Sequence, residues 1–196
     1  MKKSLVQRAN TLMRILLVVV ACVLIVAYFI PDSGFHKLPS YFATILLAFA
    51  PNIVRRMGAK ISSELEFAYY LFTIPAMVLG IDLDLYKVFY PLDKISHLLS
   101  GVLATFGALE IIKKPGKNLK PWLVNLFCFC FAATTAVAWE CFEFLYDQLF
   151  QGHMQELILP GPEDTMWDMI YAMIGAGITL AIIYISRRTQ NSPKKS

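Results

Sequence analysis

The chain has 196 residues, of which 57% are hydrophobic and only 16% charged, and its mean hydropathy is +0.57. Soluble domains carry about a quarter charged residues, so this composition excludes an ordinary soluble enzyme and predicts a polytopic membrane protein. The formal net charge of +4 carries no implication of nucleic-acid binding, because its placement reads as membrane topology.

In chain order, residues 1–12 form a basic leader with Lys2, Lys3 and Arg8, followed by an apolar run over 13–31. The exit "VAYFIPDSG" lacks the small-x-small site of a signal peptidase, so this run reads as a retained anchor. Runs over 38–54 and 65–83 are interrupted by Pro51 and Pro75. Proline is tolerated in membrane helices whose neighbours satisfy the freed backbone groups, and a five-span reading is the competitor. Runs over 95–112, 121–143 and 165–186 complete six spans of about 20 residues each. The expectation is an all-α membrane protein, one six-transmembrane-helix bundle over 13–186, with a disordered basic tail over 187–196.

Charge placement tests that count, because cytoplasmic loops concentrate Lys and Arg. With the N-terminus inside, every Lys and Arg except Lys37, Lys87 and Lys94 falls on the cytoplasmic side, and every acid except Glu64, Glu66 and Glu110 falls outside or near the outer surface. Five spans would place basic loops on both sides. Both termini are therefore expected in the cytoplasm, with the inner face meeting anionic headgroups. Cys22, Cys128, Cys130 and Cys141 lie within the runs at spacings that suit neither zinc nor redox chemistry, and read as small apolar fillers.

The costly side chains gather on spans four to six. Asp93 and His97 are i and i+4 in "DKISHLLSG"; Glu140, Glu143 and Asp147 share a stripe in "WECFEFLYD"; Asp164 and Asp168 share a face in "EDTMWDM". The topology brings all three segments to one outer surface. Asp164 alone reads equally as a helix cap, whereas Asp168 lies a turn beyond capping range. These six carboxylates, set against Lys94 and His97, require protons, a cation or a cationic ligand group for neutrality. Small residues, among them Gly101, Ala104, Ala108, Ala132, Ala136, Ala172, Ala176, Gly177 and Ala181, predict close packing of these spans.

The elements "YPLDKISHLLSG", "AWECFEFLYD" and "PEDTMWDMIYAMIGA" resemble the YjdF-like family of multi-pass bacterial inner-membrane proteins. The matching positions are Asp93, His97 and Gly101; Glu140 and Glu143; and Asp164, Thr165, Trp167, Asp168 and Met169. "AWECFE" replaces a more tyrosine-rich form. The resemblance implies the fold and the bacterial cytoplasmic membrane as location, and supplies no reaction.

The residue types favour an outward-facing site for Mg, Mn, Fe or Ca, with His97, Glu140, Glu143 and Asp168 as ligands and Asp164 or Asp93 either supporting those ligands or acting as general base, serving hydrolysis or group transfer on a lipid or envelope substrate. A small cation- or proton-coupled transporter and a membrane scaffold are the alternatives. The connection over 149–164 reads as a lid or a plain link, with His153 as a further ligand or a solvated side chain.

Overall fold

The computed structural model describes residues 4–112, 119–150, 155 and 162–190. The helices are α1 (Leu5–Tyr28), α2 (Leu38–Arg56), α3 (Ser63–Thr73) running on as a π-helix (Ile74–Asp82), α4 (Leu85–Val88), α5 (Pro91–Ile112), α6 (Pro121–Phe150) and α7 (Glu163–Gln190). Among the described residues 6 helices are long and apolar enough to cross a membrane. Spans two and three are among them, so the six-span reading holds.

The interior is built for lipid rather than water. Ala21, Ala48, Ala108, Ala132, Ala136, Ala172 and Ala176 are buried, while Val23, Val26, Leu46, Ile182 and Ile185 are exposed. In hydrocarbon no hydrophobic force pulls large apolar side chains inward, and helices approach through small residues instead.

Helix α1 begins earlier than hydropathy suggests. Ser4 and Gln7 form a reciprocal capping box that starts the helix at Leu5. Residues 5–12 are thus helical, and α7 likewise continues through Arg187 and Arg188 to Gln190. Lys2, Lys3 and the tail beyond Gln190 lie outside the described residues.

The two prolines have different consequences. Pro51 cannot donate to the carbonyl four residues back, that of Leu47. The Tyr69 hydroxyl of α3 donates to that carbonyl at 2.8 Å, and Tyr70 donates to Ala48 O at 2.9 Å. The kink-prone point of α2 is thereby bolted to α3. Pro75 sits at the start of the π-helix, where its missing N–H favours a change of hydrogen-bond register. That wider turn carries Asp82 into contact with α2.

At the end of the bundle away from the acidic segments, Glu66 Oε2 accepts from Asn10 at 3.1 Å and Arg55 at 2.8 Å. Glu110 accepts the Ser62 N–H at 2.8 Å. These bonds join α1, α2, α3 and α5, with Glu110 as a fastener between α5 and the start of α3.

Candidate functional site

Helices α5 and α7 run parallel, with both N-termini at the same end of the bundle. Each places carboxylates there by its own local logic. Pro91 opens α5 and Asp93 lies in its first turn, while Glu163 and Asp164 lie in the first turn of α7. Proline suits the first helical position, and acids suit the positive end of the helix dipole. Two such ends side by side favour a shared negative cluster.

Glycine sets how near they come. A Cβ on Gly101 would overlap the backbone carbonyl of Ala172, and one on Gly175 would overlap that of Leu98. Gly177, which the sequence pattern suggests as a packing residue, faces open space. Gly175 carries the contact instead, because side-chain size in sequence does not say which helical face meets the neighbour.

Lys94 occupies the middle of the cluster. Its Nζ lies 2.6 Å from Asp164 Oδ1, 2.6 Å from Asp168 Oδ1 and 3.0 Å from Asp93 Oδ2, and stands 5.6 Å over the Tyr90 ring. The sequence shows this lysine only as a partial counter-charge. Its position i+1 to Asp93 gives no hint that its side chain reaches α7.

His97 forms the second centre. Its Nε2 is 3.4 Å from Asp93 Oδ1 and 3.7 Å from Asp168 Oδ1, and its Nδ1 is 3.7 Å from Glu140 Oε1. Glu140 arrives on α6 at 5% exposure, and its Oε1 has no hydrogen-bond partner among the described residues. Glu143, also buried, lies one turn further in electrostatic contact with Glu140, Asp93 and Asp168. One ligand atom each from Asp93, His97 and Asp168 fall within 4.8 Å of one another.

Five of the six expected acids therefore meet. Asp147 does not join them, since its Oδ2 accepts the Gln155 N–H at 3.0 Å. It is drawn to the chain beyond α6, where a local amide satisfies it. Cys141 is exposed on the outer face of α6. His153 and most of the connection that carries it lie outside the described residues. Asp164 is not the cap itself but a residue of the first turn, 1% exposed and paired with Lys94.

Tyr86 on α4 closes the cluster from the first half of the bundle. It is hydrogen-bonded to Ser96 and lies near Asp93, Glu143 and Asp168. Burial, then those carboxylates, push its hydroxyl above the ordinary tyrosine range against the Ser96 hydrogen bond. Its ring lies so close to Gly80 that a Cβ there would overlap it.

The family described as "Predicted membrane protein (DUF2238)" matches residues 12–189, a span that includes every helix of the cluster. The chain belongs to this family. It is the YjdF-like family that the motifs resemble. An uncharacterised protein of Thermotoga maritima is 27% identical over 115 residues, covering 55% of this chain and 55% of the relative. The chain thus spans about half the length of that relative. No solved structure matches the chain. Family membership fixes the setting as a multi-pass membrane protein and leaves the chemistry to the residues of the cluster.

Proposed function

We propose that the cluster is a divalent-cation site, facing outward in the bacterial cytoplasmic membrane, that serves hydrolysis or group transfer on a lipid or envelope substrate. The observation that supports it is the convergence of Asp93, His97 and Asp168 atoms within 4.8 Å, beside a buried Glu140 oxygen that lacks a hydrogen-bond partner among the described residues. One imidazole and several carboxylates suit Mg, Mn, Fe or Ca. Asp93, His97 through Nε2 and Asp168 would hold the cation, with Glu140 facing the other ring nitrogen and Glu143 within electrostatic reach. Lys94 and Asp164 would orient Asp168, as outer groups commonly do around metal ligands. The cation would polarise a carbonyl or phosphoryl oxygen. Both expected bases, Asp93 and Asp164, contact Lys94, at 3.0 Å and 2.6 Å, and Asp93 also faces His97.

The outward orientation rests on charge. The opposite end carries Arg8, Arg55, Arg56, Lys60, Arg187 and Arg188, the bias of a cytoplasmic face.

Elemental analysis of the full chain purified in detergent without chelator tests the site, with His97→Ala and Asp168→Asn compared after confirming that both fold. The expected result is near-stoichiometric metal in the parent and its loss in both variants. No metal in the parent after repletion with Mg, Mn, Fe, Zn and Ca would overturn the reading. The second reading, a proton- or cation-coupled carrier, is favoured by the Lys94 pairs, since buried ion pairs of this kind are characteristic of transport routes in membranes.

A further inference from the structure

A cleft of about 490 Å³ opens near the same end of the bundle, lined by the chain before α2, the end of the π-helix, α4 and the end of α6. No residue of the acidic cluster lines it, and its walls Ile81 and Tyr146 belong to a buried core group with Met77 and Tyr86.

Two lysines converge at this cleft. Lys37 Nζ lies 2.9 Å and Lys87 Nζ 2.5 Å from the same Asp84 oxygen, and Lys37 also donates to the Ile81 carbonyl at 2.7 Å. Asp84 adopts a left-handed conformation, with φ 58°. Aspartate is among the few non-glycine residues that adopt this conformation readily. The arrangement holds two ammonium groups a few ångströms apart, a spacing suited to the oxygens of one phosphate.

Asp82, also in the lining, adds a negative charge. It is 3% exposed and accepts from Ser40 Oγ at 2.5 Å and Thr44 Oγ1 at 2.9 Å. Lys37, Lys87, Asp82 and Asp84 together present both signs of charge. Leu83 and Phe150, exposed by 45% and 59%, flank these groups, and Val88 at the end of α4 and Phe89 just after it are exposed apolar side chains as well.

We propose that this cleft binds the headgroup of a zwitterionic phospholipid carrying a primary ammonium. The phosphodiester meets Lys37 and Lys87, the ammonium is drawn by Asp82, and the acyl chains lie along the apolar margin. An anionic headgroup satisfies the lysines but meets the Asp82 charge, so selectivity comes from repulsion as well as attraction. The assignment is independent of whether the buried cluster holds a cation.

The test is native mass spectrometry of the full chain in detergent, titrated with phosphatidylethanolamine or phosphatidylglycerol, with soluble glycerophosphoethanolamine as competitor. The parent is expected to retain phosphatidylethanolamine about fivefold better than phosphatidylglycerol, a difference typical of one ionic contact. The double variant Lys37→Gln with Lys87→Gln weakens both lipids. Lys87→Gln alone, at a side chain 53% exposed and so safe for folding, weakens them partially. Asp82→Asn removes the preference while leaving phosphate binding. Equal retention of the two lipids by the parent, no saturable binding of either, or lysine variants that bind like the parent would overturn the proposal. Displacement by the soluble headgroup at concentrations equal to the lipid would reassign the cleft to a free phosphodiester and overturn the lipid assignment.

Discussion

Lys94 on α5 and Asp168 on α7 lie 2.6 Å apart, both largely excluded from solvent, at the point where two parallel helix N-termini meet. This contact joins the closest-packed helices of the bundle to the site they frame. Truncating one partner of such a pair leaves the other charged and buried, a loss of about 3–5 kcal/mol. Lys94→Met is therefore expected to be strongly destabilising, because three aspartates lose a cation at once. Lys94→Met paired with Asp168→Leu recovers part of that loss. Chemical denaturation in detergent checks both, and a Lys94→Met variant as stable as the parent would remove the lysine from its central role.

The glycine seam makes a sharper steric prediction. Gly101→Ala and Gly175→Ala each force a methyl against a backbone carbonyl, which cannot rotate away as a side chain does. Overpacking of this kind costs about 1–3 kcal/mol. Gly177→Ala, which meets open space, serves as the control and is expected to be neutral or slightly stabilising. Thermal unfolding in detergent distinguishes them. Similar behaviour of all three would mean that α5 and α7 are not pressed together at these positions.

The bond from Tyr69 to the Leu47 carbonyl predicts coupling between two residues that are not obvious partners in the sequence. Tyr69→Phe leaves a buried acceptor unsatisfied, at about 1–3 kcal/mol. Pro51→Ala restores a backbone N–H able to reach that same carbonyl. The loss caused by Tyr69→Phe should therefore shrink in the Pro51→Ala background. A double-mutant cycle measures the difference, and strict additivity would dissociate the tyrosine from the proline.

These cases show why the fold was more legible than the site. Span number follows from hydropathy, and the common depth of His97, Asp93, Glu140, Glu143 and Asp168 follows from helical periodicity and alternation of the chain. Both are properties of a helix in isolation. What sequence could not supply is which face of one helix meets which face of another. For that reason the sequence pattern points to Gly177 although Gly175 makes the contact, places Asp147 with the cluster although it turns toward Gln155, and shows Lys94 as one charge among several although it bridges two helices. The Ser40 and Thr44 contacts to Asp82 were hidden for the same reason, and the change of register at the π-helix compounds it.

Asp84 offers a pH test outside the spans. Burial acts to raise its pKa, but the Lys87 and Lys37 ammonium groups outweigh burial and hold it below the usual carboxylate range. A carboxylate depressed in the folded state stabilises fully above its unfolded value, near about 3.9, and its contribution fades as pH falls through the folded value. At 46% exposure the effect is damped by solvent, so a modest slope is expected. Melting temperature measured in detergent from pH 6 downward, an interval set by that unfolded value of about 3.9, should fall less steeply for Asp84→Asn than for the parent. Lys87→Gln should flatten the parent slope in the same direction, because it removes part of the field that depresses Asp84. If both variants retain the parent slope, the acid sensitivity arises elsewhere, and the lysine pair is not poised by Asp84 at the mouth of the cleft.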